Sequence, residues 1–481
     1  MTLPLATSAV DRRPAKAAGV RMRVDALAAA IVRAHRPHKD LSIFRTIAGR
    51  TAGTVLLRIA SLGLTFLLSI VLANALGSEG YGIYVLCITW AMLLSTLATL
   101  GLPNVAVRET ARARATSNYR TIRGLTLFTY STAAVAGCCA AAAVVAFVLL
   151  ARALGAGEGW HGSLLIAALS IPLACLSQVT GAFQSGYERI LAAQLPETIF
   201  RPSLFLLLLI GSWLTGAWLL DATTVLALHL ISSVAALLVG LALLYTLIGR
   251  QELPHLAGAP ASLDSPAWLR AGVVLMANQL LVNSVTQIDV LMLGWLTGAG
   301  DVGVYHAASR GALLITLVFG AMNAAAAPTI ARLWAGGRLA EIQGLVAYCA
   351  RTTFAVALLV GGVLLLGAKS FLGLFGPEFI RGELSLTILL VGWLGAVACG
   401  PSLILLMMTG FERAALTALG AGVTVNAALN AVLIPAAGVA GAAAATSISV
   451  VFYHLALCRA AYRLTGVHAH CLARDSLGVT A

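Results

Sequence analysis

Apolar runs of about 20 residues recur along the chain from residue 50 to residue 460, separated by short polar breaks. Each run is long enough to cross a bilayer as a helix. The pattern predicts twelve spans, near 50–75, 82–102, 124–150, 162–181, 197–214, 222–248, 270–294, 303–326, 345–367, 384–409, 414–434 and 438–460. Transmembrane strands would instead show segments of about 10 residues with strict alternation, and that alternation is missing. Only "IPAAGVAG", Ile434 to Gly441, separates the last two spans, so one long re-entrant segment is the alternative there. Pro172 and Pro401 are expected to break the fourth and tenth spans. The fold class expected is all-α, a polytopic transmembrane helical bundle.

Composition narrows the reading. The 481 residues are 60% hydrophobic and 10% charged, against about 25% charged in soluble proteins, so the chain lacks the polar residues to cover a globular surface. The charges are also unevenly placed. Before the first span stand Arg12, Arg13, Lys16, Arg21, Arg23, Arg33, Arg36, Lys39, Arg45 and Arg50, and after the second Arg108, Arg112, Arg114, Arg120 and Arg123. Loops of the opposite parity hold only Arg152, Lys369 and Arg381. The positive-inside rule then predicts an integral cytoplasmic (inner) membrane protein with both termini in the cytoplasm. The same rule accounts for the net charge of +13 without a nucleic-acid partner. Residues 1–47 form a basic arm without the apolar stretch of a signal peptide. Within it Val20, Val24, Leu27 and Ile31 have the spacing of a helix lying on the inner leaflet, a disordered arm being the alternative. Most of the eight cysteines sit inside spans, and no zinc spacing, phosphate loop or hydrolase motif is present. No catalytic residue, metal or cofactor is expected.

The chain is written twice. "LGSEGYGIY", Leu76 to Tyr84, returns as "LTGAGDVGVY", Leu296 to Tyr305, with Gly82 and Tyr84 matching Gly303 and Tyr305 at an offset of 221. "RGL" at Arg123 matches "QGL" at Gln343, offset 220, and "SGYER" at Ser185 matches "TGFER" at Thr409, offset 224. Three matches in order at a nearly constant offset indicate an internal repeat. Its unit is six spans. An even number gives both halves the same orientation, related by a pseudo-twofold axis along the membrane normal, with a binding site near mid-membrane between them. The expected division is a first six-helix repeat over 48–248, a cytoplasmic linker over 249–268, a second repeat over 269–463 and a cytoplasmic tail over 464–481. Two halves of this kind suit alternating access, by analogy of fold. The repeated loop reads as a tight turn made by glycines, with its tyrosines as interfacial anchors.

Ionisable and polar groups inside spans mark candidate sites, because an Arg or Asp at a helix centre costs about 3 kcal/mol. In the first span Thr54, Arg58, Ser61, Thr65 and Ser69 share one helical face. Snorkelling of Arg58 to the headgroups, with the hydroxyls packing helices, is the plainer alternative. The seventh span carries Asn278, Gln279, Asn283, Thr286, Gln287 and Asp289. In the eighth, His306 and Arg310 are one turn apart, and a hairpin of these two spans would let Asp289 pair with Arg310. A structural ion pair and a substrate or coupling role both remain open for them. Asn426 with Asn430, and Glu197 with Arg201, read as packing or interface pairs.

"LANALGSEGYGIYVL", Leu72 to Leu86, resembles the N-terminal signature of the polysaccharide-biosynthesis (oligosaccharide, O-antigen or Wzx-type) flippases, part of the multidrug/oligosaccharidyl-lipid/polysaccharide exporter superfamily. "QIDVLMLGWLTGAGDVGVYHAASR", Gln287 to Arg310, resembles the same family's seventh-to-eighth span region, and the likeness covers residues 45 to 460. The resemblance implies a flippase that carries polyprenyl-diphosphate-linked oligosaccharide from the cytoplasmic to the external leaflet. Its partners would be that lipid, the bilayer and other polysaccharide-assembly proteins. Arg58 and Arg310 would then hold the diphosphate through bidentate, charge-assisted bonds, and the hydroxyls and amides would meet sugars. Asp289 would couple movement to protons or sodium, or hold Arg310. The rivals are a cation-coupled drug exporter of the same superfamily and a membrane glycan polymerase or ligase. The first is disfavoured by intramembrane charges that lean basic, the second by short external loops.

Overall fold

The computed structural model describes residues 37–154, 160–214, 221–246, 252, 255 and 258–473, without the side chains of residues 37–56, Arg58, Val282, Val285 and Thr286. The predicted helix of the N-terminal arm lies outside these residues, as do the side chains of the candidate residues Thr54, Arg58 and Thr286. The chain divides into two units, Met1–Leu56 and Leu57–Ala481. The second holds every contact and polar group described below.

No strand occurs among the described residues. Nine helices there are long and apolar enough to cross a membrane. In lipid each such segment must satisfy its own backbone polar groups, which dictates helix. In chain order the helices are α1 (Pro37–Ala98), α2 (Leu102–Ala115), α3 (Tyr119–Ala153), α4 (His161–Gly186), α5 (Ile190–Leu195), α6 (Arg201–Leu214), α7 (Ala222–Leu244), α8 (Ser265–Leu296), α9 (Ala299–Ala335), α10 (Leu339–Leu366), α11 (Ala368–Gly373), α12 (Glu383–Ala398), α13 (Ser402–Met408) and α14 (Glu412–Thr465). A π-helical turn, Pro196–Phe200, joins α5 to α6, and a 3₁₀ turn, Pro377–Gly382, leads into α12.

The predicted loop at Leu76–Tyr84 is shorter than expected. A single residue, Gly77 (φ 66°, ψ −177°), interrupts the helical run of α1. Gly298 (φ 108°, ψ 175°) does the same 221 positions later, between α8 and α9. Backbone of this kind is essentially restricted to glycine. Likewise "IPAAGVAG" is helical apart from Gly438, so α14 contains both of the last two predicted spans. Pro172 does not break its helix, contrary to expectation: α4 runs through it. Its neighbour Gly137 leaves room for the ring, since a Cβ there would stand 2.9 Å from Pro172 Cα. Pro401 does mark a break, between α12 and α13.

Packing shows where the bundle is closed. One apolar cluster takes residues from both parts of the chain, among them Tyr81, Leu86, Phe205 and Leu226 with Leu293, Val304, Phe379 and Leu386. It surrounds the Gly77 and Gly298 turns. Away from them the core separates. Leu102, Val105, Leu125, Ile171 and Phe183 form one cluster, joined from α8 by Trp268. Ile330, Leu333, Val346, Leu405 and Leu457 form another. The bundle thus shares a core at the Gly77 end and has two cores at the other.

The close contact at the Gly77 end is reciprocal. A Cβ on Gly82 would sit 1.7 Å from the carbonyl oxygen of Ala299, and one on Gly303 would sit 2.1 Å from that of Ser78. Ser78 and Ala299 differ by the same 221 positions as the two glycines. Polar contacts finish this end. Asn74 Nδ2 donates to the Leu374 carbonyl (2.7 Å), the Ser78 amide donates to Glu378 Oε2 (2.9 Å), and Arg381 lies 3.5 Å from Asp301. At the opposite end the segment 262–264 runs beside α3, the Ser262 amide donating to the Arg120 carbonyl (3.1 Å). After α14 the chain turns back over α10 and α12. Gln343 exchanges two hydrogen bonds with the backbone of His468, and the Cys471 amide donates to the Ala398 carbonyl.

Candidate functional site

Asp289 on α8 occupies the centre of a polar knot built by α9 and the two legs of α14. It is 2% exposed. Tyr305 from α9 donates its hydroxyl to Asp289 Oδ2 (2.8 Å), and Thr446 from the second leg of α14 donates to the same oxygen (2.7 Å). Asn430 from the first leg of α14 donates to Oδ1 (2.6 Å) and to Asn426 Oδ1 (3.0 Å). The amide oxygen of Asn430 is buried without a hydrogen-bond partner.

The expected Asp289–Arg310 pair does not form. Helix phase explains why: Arg310 follows Tyr305 by five residues, which places it about 140° further round α9. If Tyr305 faces Asp289, Arg310 must point elsewhere. It reaches back one turn, its Nη2 lying 3.3 Å from His306 Nε2, and its Nε is buried without a hydrogen-bond partner. His306 Nδ1 in turn lies 2.8 Å from the hydroxyl of Tyr81 on α1.

A second buried chain lies among the earlier helices. The Tyr84 hydroxyl meets His229 Nδ1 (3.0 Å), Arg201 Nη1 meets His229 Nε2 (3.1 Å), and Arg201 Nε lies 2.9 Å from Glu197. Glu197 lies within the π-helical turn and Arg201 directly follows it, a distortion common at functional positions. Tyr84 corresponds to Tyr305 in the repeat, so each copy of this tyrosine anchors a buried polar group. Both tyrosines of the first loop are buried, which corrects their assignment as interfacial anchors.

The remaining candidates divide by environment. Asn278 and Gln279 are exposed, Asn283 and Gln287 half-buried. Gln279 donates to Asn283 (3.1 Å), and Asn283 donates across to Thr96 on α1 (3.4 Å). Along α1, Ser69 donates to the Thr65 carbonyl (2.8 Å) and Thr65 to the Ser61 carbonyl (2.7 Å). These two hydroxyls have spent their protons on their own helix and keep only acceptor lone pairs. Among the described residues no group of three or more His, Cys, Asp or Glu side chains is placed to hold a metal ion.

Sequence reasoning does not single out Tyr81, Tyr305, His229 or Thr446 as site residues. A signal for the tyrosines is present in the repeat: an aromatic with a polar tip that recurs beside a glycine. His229 and Thr446 carry no comparable signal.

A family model described as "Polysaccharide biosynthesis protein" matches residues 50–334. A relative from Haloferax volcanii named "Probable flippase AglR" is 28% identical over 195 residues, which is 40% of this chain and 40% of the relative's own length. Among solved structures, an inward-facing multidrug resistance MATE family transporter of the MOP superfamily superposes with a TM-score of 0.69 at 15% identity, covering 86% of this chain and 98% of that one. The lipid II flippase MurJ, in an inward closed conformation, superposes with a TM-score of 0.63 at 14% identity, covering 84% and 86%. At these identities the structural likeness is one of fold.

Proposed function

The chain belongs to the polysaccharide biosynthesis protein family, and on that premise we propose that it flips a polyprenyl-diphosphate-linked oligosaccharide from the cytoplasmic to the external leaflet, for assembly of a surface polysaccharide. It is an integral membrane protein, and the proteins it resembles are flippases and transporters rather than enzymes. In this reading the two halves, 48–248 and 269–463, provide twelve crossings. They would meet at the external, Gly77 end and divide into two cores toward the cytoplasm, with α8 alone remaining against the first half at the Gly101–Gly272 contact. The headgroup enters between them while the lipid tail stays in the bilayer.

One observation carries the proposal: Arg310 projects from α9 with a buried Nε that has no hydrogen-bond partner. It lies about 18 Å along the helix from the Gly298 turn, near the middle of a membrane. A guanidinium at that depth costs free energy unless an anion meets it, and a diphosphate matches its planar fork. Arg58 on α1 would supply a second cation. The acceptor oxygens of Ser61, Thr65 and Ser69 and the amides of Asn278, Gln279, Asn283 and Gln287 suit sugar hydroxyls. Arg310→Ala and Arg58→Ala are each expected to abolish export at unchanged protein abundance, with the sugar–lipid accumulating inside a complemented deletion strain. Full export by Arg310→Ala would falsify its assignment. Lysine at the same position tests whether charge without the fork is enough.

Coupling is assigned to Asp289. Its surroundings are oxygen-rich, with the unpartnered Asn430 oxygen beside the carboxylate. Such a set suits a proton or a small hard monovalent cation rather than a soft transition metal.

A further inference from the structure

Tyr81, His306 and Arg310 lie where the two parts of the bundle touch, and their hydrogen bonds run in one direction. Arginine can only donate, so His306 Nε2 is the acceptor of the Arg310 contact at 3.3 Å. A neutral ring accepting there carries its proton on Nδ1, which then donates to the Tyr81 oxygen at 2.8 Å. The Tyr81 hydroxyl is thus the acceptor at the end of the chain. The chain starts on a mid-membrane cation and ends on α1. It ties α9 to the leg of α1 after Gly77, directly beside the Gly82–Ala299 and Gly303–Ser78 contacts. The ring of Tyr81 is buried edge-on against His306 and Phe379, so packing holds it with or without its hydroxyl.

Arg310 has a further property. A guanidinium grips an oxyanion side-on through Nε and Nη2. Nε is the atom without a hydrogen-bond partner, and Nη2 is the atom on His306. A side-on anion therefore takes the unused donor and the one that fixes the histidine tautomer. We propose that His306 and Tyr81 form an anion-released latch, in which engagement of Arg310 by a diphosphate-type oxyanion withdraws it from His306 and loosens the seal at the Gly77 end. His306 is a positioning residue here, since it acts on the anion only through Arg310. The inference rests on the reading of Arg310 as the diphosphate contact and adds how its occupancy is transmitted to the seal.

Linkage makes the latch testable. If the anion weakens the latch, then removing the latch must tighten anion binding by the same factor. A single neutral hydrogen bond corresponds to about fivefold. The full-length protein in nanodiscs would be titrated with farnesyl diphosphate, with inorganic pyrophosphate as a competitor to separate the oxyanion from its lipid. Hydrogen exchange would be followed over residues 78–84 and 299–306. Tyr81→Phe is expected to bind about fivefold tighter than the unaltered protein and to exchange faster in both segments without ligand. Ligand should raise exchange there in the unaltered protein. Unchanged or weaker binding by Tyr81→Phe, with binding still lost in Arg310→Ala, overturns the latch and leaves the diphosphate reading intact. Equal binding by Arg310→Ala and the unaltered protein overturns the diphosphate reading and the latch with it. A purely structural role for Tyr81 would lower thermal stability without raising affinity, which also counts against the latch.

Discussion

Asp289 is where the folding role of a buried carboxylate can be separated from its proposed transport role. Three donors converge on it, from Tyr305, Asn430 and Thr446. Asp289→Ala would leave all three without their acceptor. Each unsatisfied buried donor costs about 1–3 kcal/mol, so a marked fall in melting temperature and abundance is expected. Asp289→Asn keeps a carbonyl oxygen for part of that set and should accumulate better. It removes the charge, so export should no longer respond to an imposed proton or sodium gradient. Gradient-driven export by a well-folded Asp289→Asn protein would defeat the coupling assignment. The sequence made the carboxylate conspicuous because charge is scarce in an apolar span. Its partners were not legible, because Asn430 and Thr446 lie more than 140 positions away and are brought in by packing alone. Arg310 was the nearest opposite charge on the following span, and only the rotational phase of α9 turns it away.

At the level of elements, hydropathy pointed to apolar helices, since every apolar run in lipid must be helical on its own account, and nine among the described residues are long and apolar enough to cross a membrane. It misjudged what lies between them. Nine residues read as a loop at Leu76–Tyr84 proved to contain one non-helical glycine. The recurrence of Gly82 and Gly303 was legible as a repeat, but its meaning was not. These glycines are small because each faces a backbone carbonyl on the other copy's turn. With small residues, helices in membranes approach closely and gain packing contacts. Gly82→Ala would force α1 and α9 apart at this point, since a Cβ cannot stand 1.7 Å from an oxygen. The individual helices should survive. The seal should not, and a cysteine placed at Ser78 is expected to react faster with an impermeant maleimide in the Gly82→Ala background than without it. Equal rates would show that the close contact does not control closure.

For the whole bundle, two independent asymmetries have to agree. One is packing: a shared core surrounds the Gly77 and Gly298 turns, while two separate cores occupy the opposite end. The other is charge. Arg108, Arg112 and Arg120 are exposed at the end with separate cores, and further arginines crowd the loops of the same parity. The positive-inside rule would put that end in the cytoplasm. Packing says at which end the core divides, although α8 stays against the Leu100–Leu102 turn there, and charge bears on which compartment that end would face; neither can supply the other's answer. Together they predict that the space between the halves is entered from inside the cell. Gln279, exposed part-way along α8, reports on this directly. In a background without the native cysteines, Gln279→Cys should be labelled by an impermeant thiol reagent in inside-out vesicles and protected in right-side-out ones. Labelling from the external side alone would reverse the orientation, and with it the direction from which Arg310 is loaded. Labelling from both sides would mean that the Gly77 end opens without substrate, against the closure that the reciprocal glycine contacts describe.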